Sequence, residues 1–306
     1  MNSLAELTSG SLLKPLLGLL ASPGMGAAVT LLLGAVMLLV LHRHNVLSYG
    51  SERDTAVPEL FFAAGLFLTP YTGSVHPLLE FLFALVLIHA AATVLLSYAL
   101  KRSPFVAFAI GFWTSVMTVV HPVCFLFLPY FPVKLARLKL LTPKHLSAFL
   151  MAVAGAWWTA LVLFAVPSLG GLWSFLRGRF LLIASPRLPF EGQSLFFALG
   201  LLVLLISFSA KVYLISHRSI ARHKWVMTFQ IGVSWLAFAA FVPYSRLSFL
   251  AVVTLFFLSS ILRHIVSESN ERDNRPGWLF LTGIALGLGL MVYSHLGNPP
   301  SLTLFS

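Results

Sequence analysis

Four ionisable residues stand inside or between stretches of sequence that are otherwise apolar. Glu80 and His89 lie within Val75–Leu100, His121 joins Phe105–Val120 to Val123–Pro132, and Lys211 lies within Ser194–Ser216. A carboxyl group and an imidazole are the usual instruments of proton transfer, so Glu80 and His121 are the candidate acid–base residues. At membrane depth an unpaired charge costs at least a few kcal/mol, which marks such residues as ion, proton or substrate sites, or as contacts between helices. The structural alternatives are a Glu80 carboxylate hydrogen-bonded to a neighbouring helix, a His121 packed at a helix end, and a Lys211 whose stem snorkels to the headgroups. Glu80 and His89 are nine residues apart, two and a half helical turns, and therefore face opposite ways. His76 precedes Glu80 by one turn and shares its face.

A second chemistry is suggested between Ser168 and Gln193, where Trp173, Phe175 and Phe180 interleave with Arg177, Arg179 and Arg187. Guanidinium groups bind phosphate bidentately, and aromatic rings settle among headgroups, so these arginines are the candidate lipid-phosphate ligands of an interfacial segment. His42 and His44 beside Glu52 and Asp54 are the one grouping with metal-ligand side chains, but their spacing through a loop gives no metal motif. Paired-Asp, HExxH, GxSxG, Walker and dinucleotide-binding patterns are absent from the sequence, and no cofactor or metal is expected. A single cysteine, Cys124, excludes a disulfide within the chain.

The elements that must carry these residues are membrane helices. Mean hydropathy is +0.92, 58% of residues are hydrophobic and 9% are charged, against about a quarter charged in soluble domains. Met25–Leu41, Val75–Leu100, Leu146–Val166, Ser194–Ser216 and Leu247–Leu262 approach or exceed the ~20 residues needed to cross ~30 Å of hydrocarbon. They lack the alternation of a barrel strand. The expected fold is an all-α polytopic bundle of about ten apolar segments, the others including Trp225–Pro243 and Trp278–Tyr293. Pro58–Tyr71 is short and is followed by the turn Thr72-Gly73-Ser74, which suggests a helical hairpin with a short first arm. His121-Pro122, Pro129 and Pro132 suggest a Pro-broken re-entrant pair of half helices.

Residues 1–24 are expected to form an N-terminal interfacial segment rather than a cleaved leader, 25–295 one transmembrane domain with an outer loop at 168–193, and 296–306 a tail. Orientation follows from the bases: placing Arg43 and Arg53, Lys101 and Arg102, Lys134 to Lys144, Arg218 to Lys224, and Arg263 to Arg275 in the cytoplasm collects 14 of the 20 there. That puts both termini outside, with Pro58–Leu100 and Phe105–Pro132 each returning to the side they entered from. The net charge of +11 is then an orientation signal and an attraction to anionic lipids rather than a nucleic-acid footprint.

Two stretches resemble a known family. Thr55-Ala56-Val57-Pro58-Glu59-Leu60-Phe61 with Thr69-Pro70-Tyr71 and His76-Pro77-Leu78-Leu79-Glu80-Phe81 is similar to the opening of an uncharacterised multi-span inner-membrane protein family of Bacteroidetes. Ala109-Ile110-Gly111-Phe112 through His121-Pro122 to Leu128-Pro129 resembles that family's half helix, break and second half helix before a basic loop. The resemblance covers residues 25 to 295 and implies the inner membrane of a Gram-negative envelope, with no catalytic residue to carry over. The function expected is a non-enzymatic component of a cell-envelope assembly or transport system, in contact with membrane lipids and envelope proteins. The alternatives are an enzyme or flippase for a lipid-linked, polyprenyl phosphate type of substrate, and a small-solute or ion transporter.

Overall fold

Proline marks where many of the helices begin. Lacking an N–H and fixed near helical φ, it fits the first turn, where that donor has no partner in any case. In the computed structural model, which describes residues 23–49, 56–69, 77–99, 103–137, 141–165, 177, 193–216, 221–244, 247–271 and 277–296, five helices start on or beside a proline. These are α1 (Pro23–Tyr49), α2 (Val57–Leu68), α3 (Pro77–Ala99), α4 (Pro104–Val120) and α6 (Pro143–Ala165). The remaining helices are α5 (Phe127–Arg137), α7 (Gln193–Ser216), α8 (Ala221–Phe241), α9 (Ser248–Glu271) and α10 (Trp278–Leu296). The described residues contain no strand. Between α4 and α5 the helix ends at His121, with φ −127° and ψ 98°, and the chain makes a short 3-10 turn over Pro122–Leu126. A residue before proline is driven into this extended conformation by the ring that follows it.

Among the described residues, four helices contain stretches long and apolar enough to cross a membrane: Pro143–Val162, Leu195–Ile215, Ser248–Val266 and Trp278–Leu296. Val57–Leu68 and Pro104–Val120 are shorter apolar helices, and Glu80–Leu95 is an apolar stretch within α3. Their outward faces are apolar, as hydrocarbon requires: Phe105, Met151, Trp158, Trp278 and Leu279 are all largely exposed.

The bundle is built around α9. Of its Ser248–Val266 stretch 94% is buried, against 22% to 44% for the other three long stretches, so one helix is the core and the rest surround it. It packs against α8, α2, α3, α1 and α7; α10 lies on α7 and α2, and α4 and α6 form an outer layer on α3. In lipid, helices gain little from the hydrophobic effect and associate through close packing and polar contacts. Aromatic rings supply much of that packing: Phe62 meets Phe256 edge-on at 5.7 Å, and Phe208 meets Phe280 at 5.1 Å. Where backbones cross most closely the residues are small. A Cβ at Gly200 of α7 would stand 2.7 Å from the Gly287 carbonyl oxygen of α10, and one at Gly111 of α4 would stand 2.8 Å from the Phe149 carbonyl oxygen of α6.

Candidate functional site

Polar groups gather at the two ends of α9. At its start the first backbone N–H groups have no intrahelical acceptor, and the preceding residue, Leu247, has no side-chain oxygen to offer. Glu80 of α3 fills that role from another helix, its Oε2 accepting a hydrogen bond from the Phe249 N–H at 2.7 Å. The carboxyl group is 2% exposed, and Oε1 makes no hydrogen bond among the described residues. The partial positive charge of a helix N-terminus favours a carboxyl group there. The His121 ring lies beside this cap, edge-on to Phe83 at 4.6 Å and tilted against Phe249 at 5.0 Å. Phe83 sits one turn after Glu80 on α3. Two residues singled out from the sequence thus converge on Phe249, one through its backbone and one through its ring. His89 points the opposite way, exposed, with Trp113 edge-on at 5.9 Å. Lys211 on α7 is partly buried.

The opposite end of α9 holds a richer cluster. Arg263, 3% exposed, places Nη1 3.8 Å from Oε1 of Glu59 on α2, and the same oxygen lies 3.4 Å from Nδ1 of His42 on α1. One turn back along α9, Ser260 accepts a hydrogen bond from Gln230 Nε2 of α8 at 2.9 Å. Gln230 Nε2 is also 3.0 Å from Nε2 of His44. The His44 ring is itself held between Phe256 and Phe257, with centroids 5.5 and 5.9 Å away. Asn45 is fully buried, and neither Oδ1 nor Nδ2 makes a hydrogen bond among the described residues. His264 and His223 stack edge-on at 4.9 Å, adding a second contact between α9 and α8.

The two clusters are kept apart by apolar packing. Val252, Val253, Phe256 and Phe257, all with 0% exposure, fill the part of α9 between Phe249 and Ser260. Eleven residues separate those two positions, about 16 Å of helix.

Sequence reasoning picked out Glu80 and His121 but missed the second cluster. Hydropathy falls at Leu262, so Arg263 reads as the first base of a cytoplasmic connection, whereas α9 continues through Glu271 with Arg263 and His264 inside the bundle. Glu59 follows Pro58 and reads as a helix-start charge. The available signal was Gln230, a lone amide in the apolar run Trp225–Pro243. In the sequence His42 and His44 stand near Glu52 and Asp54, and these two acids lie outside the described residues. Instead His42 approaches Glu59 and His44 approaches Gln230. Among the described residues no three His, Cys, Asp or Glu side chains are grouped to hold a metal ion. Arg177 is exposed. Arg179, Arg187, His76, the N-terminal segment to residue 22 and the tail from residue 297 lie outside the described residues.

Comparison of the chain with protein-family models, curated proteins and solved structures found no match.

Proposed function

We propose that this chain is a multi-pass protein of a bacterial inner membrane that acts as a non-enzymatic component of a cell-envelope assembly or transport system. The observation that carries this reading is where the two carboxylates, Glu80 and Glu59, are directed. Each reaches from a peripheral helix to α9, Glu80 to the Phe249 N–H and Glu59 to the Arg263 guanidinium. Acids directed in this way at a neighbouring helix hold the bundle together.

In the membrane arrangement that accompanies this proposal, α2 and α3 are the two arms of a hairpin with a short first arm. The α4 helix, 3-10 turn and α5 are a re-entrant pair broken at His121-Pro122, and the basic connections face the cytoplasm. The short α2 is tolerated at membrane depth because it is lined on its inner side by α9, α1 and α10. The resemblance to an inner-membrane family of Bacteroidetes supports the same setting.

Affinity purification of the tagged protein from native membranes, with mass spectrometry of the associated proteins and lipids, tests the proposal. A stoichiometric envelope protein is the expected result. Recovery of a monodisperse monomer with no specific partner would overturn it.

A second reading, a transporter of a small solute or ion, is favoured by the buried Arg263, Glu59, His44 and Gln230 at one end of α9. Residues of this kind inside a membrane bundle commonly line a pathway. Uptake assays in reconstituted vesicles separate it from the first.

A further inference from the structure

The short helix α5 has two distinct faces. Phe127, Leu128, Phe131 and Leu135 are buried in the bundle. With about 100° between successive residues, Tyr130, Lys134 and Arg137 fall within about 60° of one another on the neighbouring face. Lys134, nearer the buried side, is partly buried, Arg137 is exposed, and Val133 beside them is an exposed apolar residue.

Tyr130 is fixed in place from α8. Its hydroxyl donates to the Phe229 carbonyl oxygen at 3.1 Å, and a Cβ on Gly232 would collide with that hydroxyl. The Phe229 ring lies 5.9 Å from the Tyr130 ring and stacks on Trp225 at 5.4 Å. Lys134 Nζ stands 5.0 Å from the Tyr130 ring centroid. A lysine usually moves freely on its four-carbon stem, and here its cation is drawn to a ring that α8 holds still.

The charge on this face is unmatched. Lys134 and Arg137 both lie in the last turn of α5, where the helix dipole supplies only about half a negative charge against two positive ones. Neither base forms an ion pair with an acid among the described residues, and Glu59 and Glu80 are both directed at α9.

We infer that the Tyr130–Lys134–Arg137 face of α5 binds the phosphate of an anionic phospholipid where the helix leaves the bilayer. The guanidinium fork of Arg137 suits two phosphate oxygens, and the Lys134 ammonium adds a point charge beside it. Tyr130, one turn back along α5, and Val133 give the glycerol and upper acyl chain an aromatic and apolar bed. Charge selects the lipid: phosphatidylglycerol brings one negative charge, whereas phosphatidylethanolamine brings its own ammonium to a face already in positive excess. The site requires that the chain lie in a membrane and does not depend on the envelope partner proposed above, so either can fail without the other.

The test is thermal unfolding of the detergent-solubilised full chain titrated with phosphatidylglycerol or phosphatidylethanolamine. A ligand that binds only the native state raises Tm saturably. Phosphatidylglycerol is expected to do so in the wild type, with most of the rise lost in Lys134→Gln/Arg137→Gln. The rise should be kept in Arg43→Gln/Lys144→Gln, which removes the same charge from two other exposed positions. Equal loss in the two double variants, retention in Lys134→Gln/Arg137→Gln, or an equal response to phosphatidylethanolamine overturns the inference. An equal rise with inorganic phosphate would mean a site for a soluble anion and overturns the lipid assignment. Should Lys134→Gln/Arg137→Gln fail to fold, native mass spectrometry of the wild type released from nanodiscs of both lipids in equal amounts decides. Selective retention of phosphatidylglycerol supports the site, and unselective retention or none overturns it.

Discussion

At the scale of single residues, the contacts made to α9 by Glu80 and by Glu59 give distinguishable predictions. Glu80→Leu leaves the Phe249 N–H buried without its acceptor and is expected to destabilise the protein by about 1–3 kcal/mol. Glu80→Gln retains a side-chain oxygen for that N–H and is expected to lose less. Thermal unfolding of both variants in the same detergent checks the order, and equal losses would remove the role of trans-helix cap. Glu59→Gln removes the carboxylate that stands 3.8 Å from the Arg263 guanidinium. The expected loss is about 3 kcal/mol, at the low end for a broken buried pair because the Glu59 side chain is 20% exposed. Pairing it with Arg263→Met should recover part of that loss, and a double-mutant cycle measures the coupling. Glu80 was legible in the sequence because it is an acid inside an apolar run. Arg263 was not, since a base that follows an apolar run reads the same whether the helix stops there or continues into the bundle.

At the scale of elements, the crossing of α7 and α10 depends on small residues in register. Gly283 and Gly287 lie four residues apart on one face of α10, opposite Ser207, Leu204 and Gly200 of α7. This small-xxx-small spacing lets membrane helices approach closely. The Ser207 hydroxyl, which donates to the Val203 carbonyl oxygen of its own helix at 2.8 Å, occupies the space that a Cβ on Gly283 would need. Gly287→Leu would drive its side chain into Leu204 and the Gly200 carbonyl oxygen and is expected to cost about 1–3 kcal/mol as an overpacked contact. Gly289→Leu, at a position with open space around its Cβ, should be close to neutral. Thermal unfolding of the two variants side by side tests the assignment, and similar effects would refute it. The break at His121-Pro122 was legible because proline acts on its own backbone, whereas the helix starts at Pro77 and Pro143 differ from Val75 and Leu146, where the apolar runs begin. The partners of each helix were not legible either, since α7 and α10 are separated in the chain by α8 and α9.

At the scale of the whole molecule, the arrangement is a buried helix wrapped by more lipid-exposed ones. The proposed orientation predicts that a fluorescent-protein fusion after residue 140 reports a cytoplasmic position, whereas an alkaline-phosphatase fusion after residue 185 is active outside. Reversed reporters would overturn the positive-inside assignment. Cys124, fully buried, should resist water-soluble maleimides in the folded protein and react once it is unfolded, a control for native packing in every variant above.

What the sequence determined by itself is the class of the molecule: apolar length and scarce charge specify membrane helices, because these are properties of each segment and its solvent. Which helix occupies the centre was decided only in three dimensions. Hydropathy is nearly the same for Ser248–Val266, at 2.1, as for Leu195–Ile215, at 2.3, yet the first is almost wholly enclosed and the second is not. An apolar side chain suits lipid and protein interior alike, so composition carries no record of which it will face. The polar cluster had the same limit: His42, His44, Asn45, Glu59, Gln230, Ser260 and Arg263 come from four helices spread along the chain and become a site only when α9 draws those helices around itself.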